Sequence, residues 1–289
     1  MNMLAAMEAR RSTRSFDGAR LTDAETAALE SALRGAASEP GPFGRAVRLA
    51  LYAGEPDAKP ARLGTYGLIS GASAYVVAAV APAAGSMEDT GYVLEKAVLD
   101  LTALGWATCW IGGVFSRGKA AEIVAKAPGE LVPAVIAVGK PADRRSVADR
   151  IVTGSARSRT RKPLDQLVFS AGGALGLAGW NPGAAWAEAL RALRGAPSAS
   201  NKQPWRLVGF GDGPSWLIFM DEDRLYNHSL GEVRLQNLDI GIGMRHFAEA
   251  ARCLGLSGRW EPLPGARDEI AAALGFGEAR GWTPIALWR

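Results

Sequence analysis

The chain repeats itself, and that repetition limits its possible folds more than any single motif does. Ala32-Leu33-Arg34-Gly35-Ala36 recurs letter for letter as Ala192-Leu193-Arg194-Gly195-Ala196. Asp89-Thr90-Gly91 is matched 150 positions later by Asp239-Ile240-Gly241. The same offset pairs Leu104-Gly105 with Leu254-Gly255 and Trp110 with Trp260. Two matches in the same order read as a diverged duplication, in which each copy builds one supersecondary unit. The copies are expected to divide at residues 1–165 and 166–289.

Local patterning predicts a common layout. Copy one has a helix opened by a capping box, Thr22-x-x-Glu25, and closed by Gly35. Strands follow near residues 45–53 and 74–80, then helices over 87–104 and 117–126 and a strand at 133–138. Copy two has a helix opened by Asn181-Pro182 and closed by Gly195. Strands near 206–211 and 215–220 come next, then a helix over 238–254 and strands at 258–261 and 284–288. Residues 143–178, rich in Arg, Ser and Gly, read as a linker. Helices and strands mix without strict βαβ alternation, so the fold class is α+β.

Composition narrows the function classes. At 48% hydrophobic and 21% charged, the 289 residues are those of a globular protein able to bury a core. Cys109 and Cys253 form no CxxC pair, and with only His228 and His246 a His-rich metal site is not expected. The first fourteen residues lack the apolar run of a signal peptide, and residues 67–86 break at Pro82 before they could span a membrane. A cytoplasmic protein is expected. The net charge of +4 says little about nucleic acid until its location is known.

Three segments concentrate polar chemistry. Arg10-Arg11-Ser12-Thr13-Arg14-Ser15-Phe16 places three arginines around hydroxyls where an amino-terminal helix gives way to a loop. Guanidinium forks match phosphate oxygens, so the segment reads as a phosphate clamp or as a solvated basic helix end. Pro197-Ser198-Ala199-Ser200-Asn201-Lys202-Gln203-Pro204-Trp205 holds two amides in a proline-stiffened loop. Amides both donate and accept, which suits a flat heterocycle or a polyol; the alternative is a turn entering a strand. From Arg144 to Lys162 seven basic residues face one acid, Asp149, with no aromatic among them. That favours a single-phosphate clamp or a solvated linker over a nucleic-acid patch.

These residues resemble the nitroreductase family. Arg10 to Phe16 is similar to its amino-terminal flavin motif, and Pro197 to Trp205 to its Pro-Ser-x-x-Asn-x-Gln-Pro-Trp loop. Leu104-Gly105-Trp106-Ala107-Thr108-Cys109-Trp110-Ile111-Gly112-Gly113 resembles its glycine turn, and Arg159-Thr160-Arg161-Lys162-Pro163-Leu164 its basic tail. The resemblance implies an FMN-dependent oxidoreductase that passes a hydride from NADH or NADPH to a small nitro- or quinone-like acceptor by a ping-pong cycle. No protein nucleophile and no metal are implied. The alternative is a flavin-binding protein or pseudoenzyme without reductase activity.

Family members are homodimers in which each flavin site takes the arginine motif from one subunit and the amide loop from the other. Here copy one has the arginine motif but continues Ala37-Ser38-Glu39-Pro40-Gly41-Pro42-Phe43 where the amides would be. Copy two has the amides but no arginine motif. The resemblance therefore implies a fused pseudo-dimer, monomeric, with one retained site. In that site Arg10, Ser12, Arg159 and Arg161 would hold the phosphate, with Arg11 in the same binding motif. Arg14 would lie toward the N1/O2 edge of the ring, and the backbone of Ile111, Gly112 and Gly113 would approach N5. Ser198 and Asn201 would bind the ribityl chain or ring edge, and Gln203 would be a ligand or a brace. Cys109 reads as a buried structural thiol, and Trp110, Trp205 and Trp260 as core or pocket wall.

Overall fold

A computed structural model of the chain describes residues 1–53, 62–143, 160–171, 182–210, 215–263 and 281–289. The chain divides into two compact units, Met1–Ser158 and Arg159–Arg289.

Unit one begins with α1 (Met3–Ala9) and α2 (Asp23–Ser38). The Thr22/Glu25 capping box forms in full, each side chain bonding the other residue's backbone N–H. Gly35 does not end α2, contrary to the sequence expectation. The helix runs on through Ala36 to Ser38 and stops one residue before Pro40. α5 of unit two (Ala184–Gly195) likewise stops one residue before Pro197, at Ala196. In both copies the proline, which disfavours helical backbone in the residue before it, is the terminator. Of the expected opener Asn181-Pro182, Asn181 lies outside the described residues and Pro182 is not the first helical residue: the helix starts at Ala184 behind its N-cap, Gly183.

The strands of unit one are β1 (Val47–Tyr52), β2 (Ala74–Val80), β3 (Ala107–Ile111) and β4 (Val135–Gly139), in the antiparallel order β1-β2-β4-β3. Every residue of β2 and β4 is buried, as their continuous apolar runs require. The long α3 (Ser86–Ala103) packs beside α1 and α2, and α4 (Arg117–Ile123) is shorter than expected.

Unit two repeats the plan. β6 (Trp205–Phe210), β7 (Ser215–Met220), β8 (Trp260–Pro262) and β9 (Thr283–Trp288) take the order β6-β7-β9-β8, which is the order of unit one, with α7 (Leu235–Cys253) in the place of α3. Two diverged half-copies thus occupy a single α+β chain, as the repeat implied. Two elements were not foreseen. β5 (Val168–Ser170) lies in the expected linker and pairs in parallel with β6, because Val168 and Phe169 bury fully against the sheet. α6 (Arg224–Asn227) is a single turn capped by Asp223. The core is aromatic: Phe247 of α7 stacks on Trp186 and meets the edges of Trp216 and Trp288.

Among the described residues no helix is long and apolar enough to cross a membrane. Nor is any group of three or more His, Cys, Asp or Glu residues placed to hold a metal ion.

Candidate flavin-binding residues

The arginine motif is built into the edge of the first sheet. Ser12 bridges Thr108 in parallel, and the Thr13 N–H donates to the Thr108 carbonyl at 2.9 Å. The motif is thereby laid beside β3, whose last residue, Ile111, leads into the glycine turn Gly112-Gly113. On its other side the Ser70 N–H donates to the Arg14 carbonyl at 2.9 Å.

Arg10 is the unusual member. It is 6% exposed, and its Nε has no hydrogen-bond partner among the described residues. Burial pulls its pKa below the ordinary arginine value, and the nearby Glu95 pushes it back up. A buried guanidinium with an orphaned N–H is costly unless something supplies an acceptor. Arg11 is different. It is exposed and turns back to donate to the carbonyls of Glu8 and Arg10, capping the end of α1. Ser12 and Arg14 are half-buried.

The glycine turn has a brace that the sequence reading did not single out. Arg117 donates to the Gly112 carbonyl at 2.9 Å and to the Val132 carbonyl at 2.6 Å, with its guanidinium 4.7 Å from the centre of the Phe115 ring. Glu95 is also new. Fully buried on α3, it accepts the Trp110 indole N–H at 2.6 Å, which fixes the strand end that carries the turn.

In unit two the basic tail and the amide loop come together. Arg161 donates from Nη1 to the side-chain carbonyl of Asn201, and the Asn201 amide donates to the Thr160 carbonyl at 2.7 Å. The Lys162 backbone N–H donates to Gln203 Oε1 at 2.9 Å, and Arg194 at the end of α5 donates to the Lys162 carbonyl at 2.8 Å. Burial, followed by the neighbouring Arg206, lowers the Lys162 pKa. Arg159 and the basic residues at 144, 145, 150 and 157 lie outside the described residues.

The amide loop is strained and pinned. Ser200, Asn201 and Gln203 sit at φ of 48°, 55° and 49°, the left-handed region that side chains avoid. Three such residues within four positions are costly and persist only where the surroundings over-determine them. The surroundings do so here. Ser200 Oγ bonds the Tyr226 hydroxyl at 2.9 Å, and Lys202 pairs with Asp223 at 2.8 Å. The Gln203 N–H donates to Ser198 Oγ at 2.9 Å. Gln203 is 2% exposed, and its side-chain amide bonds within the loop and to Lys162 at both ends, so it braces the loop. Beneath the loop, buried Asp239 of α7 accepts the Ala199 N–H at 2.8 Å. The repeat contained the signal for this residue, since Asp239 heads one of its matched segments.

Cys109 and Trp205 are buried. Trp260 belongs to the aromatic core, where its indole N–H donates to the Met244 carbonyl at 2.9 Å.

A family model described as "Putative TM nitroreductase" matches residues 2–251. The fold is similar to that of a solved protein from Thermotoga maritima MSB8, itself described as a putative nitroreductase. The similarity covers 100% of this chain and 92% of that one at 18% identity, with a TM-score of 0.60. A nitroreductase with bound FMN from Desulfitobacterium hafniense DCB-2 matches over 50% of this chain and 92% of its own, at 16% identity and a TM-score of 0.40. A nitroreductase family protein from Clostridium difficile 630 matches over 57% and 96%, at 19% identity and a TM-score of 0.41. No curated protein matches the sequence. With the family model spanning residues 2–251 and the whole-chain fold in agreement, the chain belongs to this nitroreductase family.

Proposed function

We propose that the protein is an FMN-dependent oxidoreductase that uses NADH or NADPH to reduce a small nitro- or quinone-like acceptor. The reading rests on Arg10, a buried cation with an orphaned Nε–H at the end of α1, in a chain of the nitroreductase family. That N–H fits an anionic acceptor group such as a phosphate oxygen. The chemistry FMN supplies when bound is hydride relay, first from the reduced nicotinamide and then to the acceptor, on one flavin face.

The protein's own residues bind and orient. In unit one Arg10 and Ser12 would serve as phosphate-binding residues, while Arg11 completes the motif by fixing the end of α1; in unit two Arg161, with Arg159, would serve in the same role. Arg14 would place positive charge at the ring edge where negative charge gathers on reduction. The glycine turn at Ile111, Gly112 and Gly113, braced by Arg117, would offer backbone close to the ring, since glycine permits such an approach. Ser198 and Asn201 would hold the ribityl chain or ring edge, with Gln203 keeping their loop in shape. The chain would work as a monomer in the cytoplasm.

The test is an FMN titration of the purified protein followed by anaerobic addition of NADH or NADPH. One FMN per chain, bleached by one of the two nucleotides, is expected. Absence of FMN binding defeats the proposal. Binding without bleaching leaves a flavin-binding protein that is not a reductase.

A further inference from the structure

The two copies anchor the same loop in different ways, and the difference is centred on one buried acid. Phe43 and Arg45 lie four and two residues before β1, just as Asn201 and Gln203 lie four and two residues before β6. In unit one Asp89 accepts both of those N–H groups, Phe43 at 2.9 Å on Oδ1 and Arg45 at 2.7 Å on Oδ2. In unit two the equivalent N–H groups turn away from the aspartate. The Asn201 N–H donates to the Ser198 carbonyl at 3.0 Å and the Gln203 N–H to Ser198 Oγ at 2.9 Å. Asp239, 2% exposed, keeps only the Ala199 N–H on Oδ1, and its buried Oδ2 has no hydrogen-bond partner among the described residues.

We propose that Asp239 is a positioning residue whose protonation selects the form of the amide loop. With the carboxyl neutral, Ser198 keeps the Asn201 and Gln203 N–H groups, and the loop holds the left-handed backbone that presents its amides. The carboxylate, lacking a donor on Oδ2, competes with Ser198 for those two N–H groups and draws the loop toward the arrangement that Asp89 holds in unit one. In unit one Phe43 and Arg45 are not left-handed and only Gly44 between them is, so that arrangement would turn the Asn201 and Gln203 amides away from their present positions and weaken flavin binding. The flavin part of this inference rests on the function proposed above.

Burial pushes the Asp239 pKa up to about 8, within the range where such a switch would operate. The charged groups on the elements around it are mostly committed elsewhere. On the loop side Lys202 pairs with Asp223. On β6 Arg206 pairs with Asp221 at 2.5 Å, and on α5 Arg194 bonds the Lys162 carbonyl. On α7 itself Arg245 pairs with Glu249 at 2.9 Å, and buried His246 lies about two turns along the helix from Asp239. Tyr226 of α6 feels Asp239, which helps keep its phenol protonated, although burial is the larger cause.

The test reads the loop directly. In isotope-labelled full-length protein, the amide resonances of Asn201 and Gln203 and the side-chain carboxyl resonance of Asp239 are followed between about pH 6.5 and 9.5. A common midpoint near 8 is expected, together with a fall of about tenfold or more in FMN affinity above it. Asp239→Asn should show neither the midpoint in the amide resonances nor the fall in FMN affinity across that range. Amide resonances that stay put while the Asp239 carboxyl titrates overturn the inference, as does an equal pH response in Asp239→Asn. If FMN does not bind at any pH, the proposed function fails, while the resonances still decide the loop switch. If Asp239→Asn does not fold, the coincidence of the three midpoints in the wild-type protein decides it.

Discussion

Arg161 donates from its guanidinium to the side-chain carbonyl of Asn201, joining the basic tail to the amide loop within one unit. These residues lie 40 positions apart in sequence and belong to motifs that read separately. Their contact gives the asparagine a fixed orientation, since its amide also donates to the Thr160 carbonyl. A charged hydrogen bond of this type contributes about 1.5–3 kcal/mol. Arg161→Ala should therefore weaken FMN binding by about tenfold or more, measured by fluorescence titration. Arg161→Lys should recover only part of it, because a lysine lacks the planar fork.

Asp239 carries a pH dependence whose sign is set by its raised pKa. In the unfolded chain the carboxyl ionises above its ordinary value of 3.8, whereas in the fold it holds its proton up to about 8. The folded state thus binds more protons across that window, so this residue's contribution to stability falls as pH rises from about 4 to about 8 and is level above. Asp239→Asn, which does not titrate, should gain in melting temperature relative to wild type between pH 5 and 8. A difference that shrinks as pH rises would contradict the assignment.

Two glycines should respond oppositely to alanine. Gly35 lies within α2 with nothing near its missing side chain, so Gly35→Ala should stabilise unit one by about 0.5–1 kcal/mol. A methyl on Gly41 would come 2.2 Å from Asp89 Oδ1, in the place where that carboxylate receives the Phe43 N–H. Gly41→Ala should cost about 1–3 kcal/mol. Urea unfolding of both variants checks the pair.

Tyr226→Phe removes the hydroxyl that bonds Ser200 at 2.9 Å and leaves the ring under Lys202 in place. The loss is that of one neutral hydrogen bond, about 0.5–1.5 kcal/mol. Because Ser200 is held at φ of 48°, the effect should appear as faster amide exchange in residues 199–203 rather than as a lower melting temperature. Unchanged exchange would mean that the remaining bonds are enough to hold the loop.

Much of the architecture was legible in the sequence because it follows from local rules. Thr22 and Glu25 announce a capping box through their spacing, and the unbroken apolar run of residues 74–80 announces a buried strand. The matched segments at Asp89 and Asp239 foretold a common layout in the two copies, and the two sheets share one strand order. The helix expected to close at Gly195 does end there, whereas the one expected to close at Gly35 runs on to Ser38. Neither glycine adopts the left-handed backbone that makes glycine a helix stop, and the prolines that follow end the helices instead. β5 was missed because a three-residue strand has no periodicity to read.

The candidate site divides along the same line. The residue types that could meet a phosphate or a heterocycle, from Arg10 to Arg14 and from Ser198 to Gln203, stand in the sequence with their spacing. The sequence by itself determined that inventory, the duplication and the loss of the amides from copy one. Only the tertiary structure decided how each residue is used. Arg10 is buried with an orphaned N–H, Arg11 caps a helix, Gln203 braces a strained loop, and Asp239 keeps one anchoring bond where Asp89 keeps two. The reason is physical. Spacing along a chain dictates which groups are available, but desolvation and hydrogen-bond competition depend on what packs around them, and those neighbours come from distant parts of the sequence.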